Sequence, residues 1–132
     1  MNLEIYFESP LDFHINFDGQ QQQIKAGTDY AKFTYQPEFN KEYNLVICCD
    51  NTEIVKHNIE IKRIIFDDYW IIENERVAFG KNTYSDEYVK YAVDQGVPID
   101  YTVNDNHLMF FMGTLSFTFR HPIYKFYENS LR

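Results

Sequence analysis

Asn58-Ile59-Glu60-Ile61-Lys62-Arg63-Ile64-Ile65-Phe66-Asp67-Asp68-Tyr69-Trp70-Ile71-Ile72 is the stretch that decides the fold. It opens as an alternating strand, with Ile59 and Ile61 on one side and Glu60 and Lys62 on the other. It continues as the apolar run Ile64-Ile65-Phe66, meets two carboxylates, and resumes as Tyr69-Trp70-Ile71-Ile72. Alternation predicts a strand buried on one face, and a continuous run predicts burial on both. The block therefore reads as the central strand of a packed β-protein, with Ile59, Ile61, Ile64 and Phe66 in its core. Asp67 and Asp68 predict a bend into a second strand.

Strand patterns flank this block on both sides. Leu3, Ile5 and Phe7 alternate with Glu4, Tyr6 and Glu8 up to Pro10. Leu11, Phe13, Ile15 and Phe17 alternate with Asp12, His14 and Asn16, and Asp18-Gly19 then supplies a tight hairpin turn. The return strand, 20–25, begins with four glutamines and suits a solvated edge, although side-chain amides also suit sugar hydroxyls. Further strands are predicted over 29–35 and 42–49, with short pieces at 77–79 and 99–103. Two more follow at 108–112 and 114–119. Residues 85–96 depart from this rhythm. Ser85 suits a helix N-cap, Asp86 and Glu87 its first turn, and Gly96 its end. Nine or ten short strands and one short helix predict an all-β chain. The expected form is a two-layer antiparallel β-sandwich, jelly-roll-like, with a small closed barrel as the alternative.

The 132 residues fit one domain, 1–132, large enough to fold without a disulfide or metal. Aromatic residues make up 18% of the chain, as twelve Phe, eleven Tyr and one Trp. Such a content favours strands, and the tyrosines favour contact surfaces. The net charge of −8 argues against nucleic acid and against adsorption to anionic membranes. No stretch has the length and apolarity of a membrane-spanning helix, and Met1-Asn2-Leu3-Glu4 does not open a signal peptide. Cys48 and Cys49 are strand neighbours that face opposite ways, so they are expected as free, buried thiols made in a reducing cytoplasm.

Catalytic motifs are lacking. His14, His57, His107 and His121 are scattered without metal-ligand spacing. No nucleophile elbow, phosphate-binding loop or dinucleotide fingerprint occurs. Asp67 and Asp68 are the distinctive polar pair, because carboxylates in an apolar run need water, a cation or hydrogen-bond donors. With Asp50, Asp100 or Asp105 they have the oxygen chemistry that Ca²⁺ takes. Solvated carboxylates at a strand bend are the simpler expectation.

The pattern Ile59-x-Ile61-x-x-Ile64-x-Phe66-Asp67-Asp68, in a small aromatic-rich all-β chain, resembles two groups. One comprises the β-sandwich modules of tailed-bacteriophage virions, which serve as capsid decoration or tail-fibre components. The other comprises calcium-dependent carbohydrate-binding modules of the same architecture. The first resemblance implies a non-enzymatic virion structural protein, made in the host cytoplasm, that binds other virion proteins or copies of itself. The mildly basic, aromatic tail with Arg120, Tyr124, Phe126 and Tyr127 is then its expected contact surface. The second implies a cell-surface or other glycan partner, with Trp70 and Tyr69 stacking on sugar rings and Ca²⁺ at Asp67 and Asp68. Neither implies membrane insertion or nucleic-acid binding.

Overall fold

A computed structural model describes residues 1–51, 58–71, 80–99, 108–109 and 113–122. The strands are β1 (Asn2–Glu8), β2 (Phe13–Phe17), β3 (Gln20–Ile24), β4 (Tyr30–Thr34), β5 (Glu42–Cys49), β6 (Ile59–Phe66) and β7 (Tyr69–Ile71). After β8 (Gly80–Tyr84) comes the helix α1 (Asp86–Gln95), then β9 (Leu108–Met109) and β10 (Gly113–Arg120). One sheet has the order β4-β1-β6-β7, with β9 also paired to β6. The other has the order β3-β2-β5-β10-β8, and the pairings of both sheets are antiparallel. The architecture is the all-β sandwich expected from the sequence.

Period-two alternation builds the core. Leu3, Ile5 and Phe7 from β1, Phe33 from β4 and Ile59, Ile61, Ile64 and Phe66 from β6 point inward from the first sheet. Phe13, Ile15 and Phe17, Tyr43, Leu45 and Ile47, and Leu115, Phe117 and Phe119 answer them from the second. Phe66 lies at an aromatic centre. Its ring stacks on Tyr35 at 4.9 Å and on Phe119 at 5.1 Å, and meets Tyr43 at 5.5 Å.

β6 departs from its expected form. Ile61 and Ile64 are both buried although three residues apart, and Ile65 is half-exposed. Pairing with β1 is Tyr6 to Arg63 and then Phe7 to Ile61, so the register shifts by one residue at Lys62 and Arg63. The apolar run is thus no sign of burial on both faces. A β-bulge resets the inside–outside phase and keeps Ile64 and Phe66 in the core.

Turns and edges follow local chemistry. Asp18 and Gly19 have φ of 47° and 87°, and Asp67 and Asp68 have 55° and 58°. Both pairs are two-residue hairpin loops with positive φ, which Asp and Gly tolerate. The glutamines of β3 do lie on a sheet edge, and they have a task there. Gln20 and Gln22 Nε2 donate to the Thr34 and Lys32 carbonyls at 2.8 and 2.7 Å, covering the edge of β4. The helix is as expected, with the Ser85 hydroxyl accepting from Tyr88 N–H and Gly96 left-handed at φ 68°. Tyr88 and Ala92 join the core. The short strand expected over 77–79 lies outside the described residues, and β8 is described from Gly80.

Phe66→Ala is expected to cost about 3–5 kcal/mol, because it removes the ring that Phe17, Tyr35, Tyr43 and Phe119 contact. Urea unfolding followed by far-UV circular dichroism reads the loss. A cost near 1 kcal/mol would show that the neighbouring rings collapse into the space.

Candidate functional site

The bulge in β6 shapes the outer face of the first sheet. Cross-strand pairing sets Tyr30, Tyr6 and Arg63 in one row across β4, β1 and β6. Tyr6 and Tyr30 are half-exposed, with ring centroids 4.9 Å apart and planes tilted by 47°. Arg63 places its guanidinium 4.2 Å from the Tyr6 ring centre, a cation–π contact. Tyr30 donates its hydroxyl to Glu4 Oε1 at 3.0 Å. Burial first, and then that bond, hold the Tyr30 hydroxyl above the ordinary tyrosine range. The row is therefore fixed before any ligand arrives.

Beside this row lies a hollow of about 350 Å³, walled by Tyr6, Glu8, Asp29 and Lys62. It sits at the register shift, where Lys62 Nζ pairs with Glu8 at 3.0 Å. A second groove of about 580 Å³ shares Glu8 and Asp29 with it and continues past Thr28 to Asn58 and Glu60. Both volumes fall in the ~300–1,000 Å³ range of small-molecule sites. An aromatic wall facing carboxylates, an ammonium and an amide suits a ligand that is apolar on its faces and hydroxylated at its rim. The outer face of the second sheet differs. It carries His14, Asn16, Asn44, Cys48, Ser116 and Thr118, and no Phe, Tyr or Trp among its described residues.

The expected metal pair lies at the end of the sandwich marked by Tyr35 and His121. Asp67 Oδ1 accepts from the Tyr35 hydroxyl at 2.5 Å, and that hydroxyl accepts from Asp67 N–H at 2.8 Å. His121 Nδ1 lies 2.8 Å from Asp67 Oδ2. The Asp67 side chain is only 6% exposed, so these bonds fasten the β6–β7 turn to the ends of β4 and β10. Asp68 is exposed. Calcium takes six to eight oxygen ligands. Both Asp67 oxygens are engaged by protein groups, and among the described residues no cluster of three or more His, Cys, Asp or Glu is placed to hold a metal. Asp67 and Asp68 do not by themselves fit a calcium site.

Trp70 and Tyr69 lie on β7, where Trp70 pairs with Ile65 and Tyr69 with Phe66 of β6. Arg120 ends β10, where it donates to Glu42 at 3.1 Å. Tyr124, Phe126 and Tyr127 lie outside the described residues, as do Asp100 and Asp105. Cys49 is buried, while Cys48 is half-exposed on the outer face rather than buried as expected. Burial first, and then the Asp50 charge, push the Cys48 thiol above its usual range, and burial raises Cys49 against the lowering effect of a bond from the Asn51 backbone.

No protein-family model and no curated protein matches the sequence. Two solved structures share its fold. One is vCBM60 in complex with galactobiose, with a TM-score of 0.53 and 11% identity, covering 89% of this chain and 97% of that one. The other is a selenomethionine form of vCBM60, with a TM-score of 0.52 and 8% identity, covering 88% of each chain. That work describes circular permutation as a link between two families of calcium-dependent carbohydrate-binding modules. The fold is similar to that of a carbohydrate-binding module. Neither likeness is to a virion protein.

Tyr6 and Tyr30 were not among the residues singled out from the sequence. A signal for them exists, since each is an aromatic on the polar phase of its strand. Tyr6 stands between Ile5 and Phe7, and Tyr30 precedes Ala31, Phe33 and Tyr35.

Two outcomes test the geometry. Tyr35→Phe is expected to cost about 1–3 kcal/mol, because the hydroxyl both donates to and accepts from Asp67. Burial first, then the bond to Asp67, hold the Tyr35 hydroxyl well above its ordinary value of 10.0. That stabilisation is complete below pH 10 and falls away as pH rises beyond it, so the gap between wild type and Tyr35→Phe should narrow at pH 11. Urea midpoints at pH 7 and pH 11 measure this. Separately, both thiols should react slowly with iodoacetamide at pH 7.5 and Cys49 should react more slowly than Cys48, as read by mass spectrometry.

Proposed function

We propose that this chain is a non-catalytic carbohydrate-binding module that takes sugar in the hollow beside Tyr6. The observation that carries this reading is Tyr6, held in a row with Tyr30 and Arg63 and lining a hollow together with Glu8, Asp29 and Lys62. A pyranose presents C–H groups on its faces and hydroxyls around its edge. An aromatic wall removes the former from water, and carboxylate and ammonium groups bond the latter. Little ordering entropy remains to be lost, because Arg63 and the Glu4 bond already hold the rings.

The fold likeness to vCBM60, one of whose structures holds galactobiose, supports the same reading. A role as a capsid decoration or tail-associated module draws no support from either likeness.

Glycan-array screening followed by isothermal titration calorimetry tests the proposal. At least one glycan should bind, and Tyr6→Ala should weaken it by about tenfold or more with an unchanged circular dichroism spectrum. EDTA should leave that affinity unaltered. A blank array removes the reading. Binding that EDTA abolishes and Tyr6→Ala spares would place the site elsewhere on the chain.

A further inference from the structure

We infer that Asp12 is a positioning residue for the sugar site: its carboxylate fixes the turn between β3 and β4 that brings Thr28 and Asp29 to the walls. This rests on the carbohydrate-binding reading above and names a residue that acts at that site through others.

The turn is the first observation. Lys25 to Thr28 form a β-turn, closed by the bond from the Thr28 N–H to the Lys25 carbonyl at 3.0 Å, with Gly27 at φ 88° in the third position. Gly27 and Thr28 line the larger groove, and Asp29 lines both that groove and the hollow beside Tyr6. The closing bond sets the shape of the turn. How the turn leans over the groove depends on bonds to the rest of the chain.

Those bonds are the second observation. Asp12 Oδ1 accepts from the Ala26 N–H at 2.7 Å. The Gly27 N–H donates to the Ser9 carbonyl at 3.0 Å, and the Phe7 N–H donates to the Asp29 carbonyl at 3.1 Å. The turn is thus held near its start, at its middle and at its end, against β1 and the segment that leads into β2. Backbone groups hold Gly27 and Asp29. Asp12 holds Ala26 through its side chain, and a carboxylate acceptor makes that bond stronger than a neutral one.

The third observation is the anchor. Asp12 stands between buried Leu11 and Phe13, and its carbonyl accepts from the Cys49 thiol at 3.9 Å. The buried Ser9 hydroxyl donates to the Leu11 carbonyl at 2.8 Å and accepts from the Leu11 N–H at 3.1 Å. The core therefore fixes Asp12, and Asp12 passes that position to the turn. Lys25 lies 3.9 Å from Asp12 Oδ2, but both side chains are largely exposed and the pair adds little. A wall set before the ligand arrives loses less freedom on binding.

Two measurements on Asp12→Ala and Asp12→Asn test the inference. Asn keeps an oxygen acceptor, whereas Ala removes it. In the free protein, amide hydrogen exchange at Ala26 should quicken by about tenfold in Asp12→Ala and stay within about threefold of wild type in Asp12→Asn. In calorimetry with galactobiose, and with each glycan that the array returns, Asp12→Ala should weaken binding by about fivefold. Asp12→Asn should restore it to within about twofold of wild type. Unchanged affinity in Asp12→Ala, with or without a lower urea midpoint, would overturn the inference and leave Asp12 a purely structural role. So would a weakened affinity that Asp12→Asn fails to restore, or exchange at Ala26 that Asp12→Ala does not change. Each of these results leaves carbohydrate binding standing. A wild type that binds neither galactobiose nor any array glycan would overturn the carbohydrate reading itself, and the role of Asp12 with it.

Discussion

The phase of β6 is the constraint on which the remaining structure depends. Ile61 and Ile64 are separated by an odd number of positions, and a regular strand would turn one of them to water. Exposing Ile64 and Phe66 together would forfeit several kcal/mol of burial. It would also dissolve the ring cluster of Tyr35, Tyr43 and Phe119 around Phe66. One extra residue at Lys62 and Arg63 settles the conflict. The same residue turns Arg63 onto the Tyr6 ring and leaves the hollow between Tyr6 and Lys62. A demand of the core thus creates the shape of the surface.

The two ends of the sandwich are held differently. At one end, Asp67 bonds Tyr35 and His121, the Met1 amino group donates to the Tyr35 carbonyl, and Tyr43 donates to Gln36. Asn40 and Lys41 join His121 through backbone bonds. These bonds tie strand ends of both sheets to one another. At the other end, the turn over Gly27 and Thr28 meets the segment after β1 through the Gly27 N–H to Ser9 carbonyl bond, and the larger groove lies beside it. A carboxylate pair that stood out in the sequence belongs to the fastened end. The groove lies at the other, lined by residues that are individually unremarkable.

That contrast explains how much was legible in the sequence. Alternation in β1, β2, β5 and β10 stated which side chains face the core, since burial on one face needs only period two. Ser85 and Gly96 stated the helix, because capping is local chemistry. Asp18-Gly19 stated its turn for the same reason. The bulge was not legible, because a one-residue reset of phase and a doubly buried strand give the same apolar run. Only the partner strand, with Tyr6 opposite Arg63 and Phe7 opposite Ile61, separates the two. The candidate site was hidden for a related reason. Tyr6, Tyr30 and Arg63 are far apart in the chain, and sheet order alone brings them into one row. Asp67 misled because a buried carboxylate needs partners of some kind, and its sequence neighbours do not reveal that Tyr35 and His121 supply them.

The surface pattern weighs carbohydrate against protein as the ligand. Protein-binding patches gather apolar side chains at their centre and exclude charge from it. The walls of the hollow at Tyr6 have the opposite composition, with Glu8, Asp29 and Lys62 around it and Glu4 bonded to the Tyr30 hydroxyl beside it. Burying that many charges under a protein partner would require a matching partner for each, or several kcal/mol per unpaired ion. A sugar covers far less of the surface, leaves the charges partly hydrated, and returns a hydroxyl to each group it does desolvate. The same side chains that make the face a costly protein interface make it an economical place to hold a polyol against one aromatic ring.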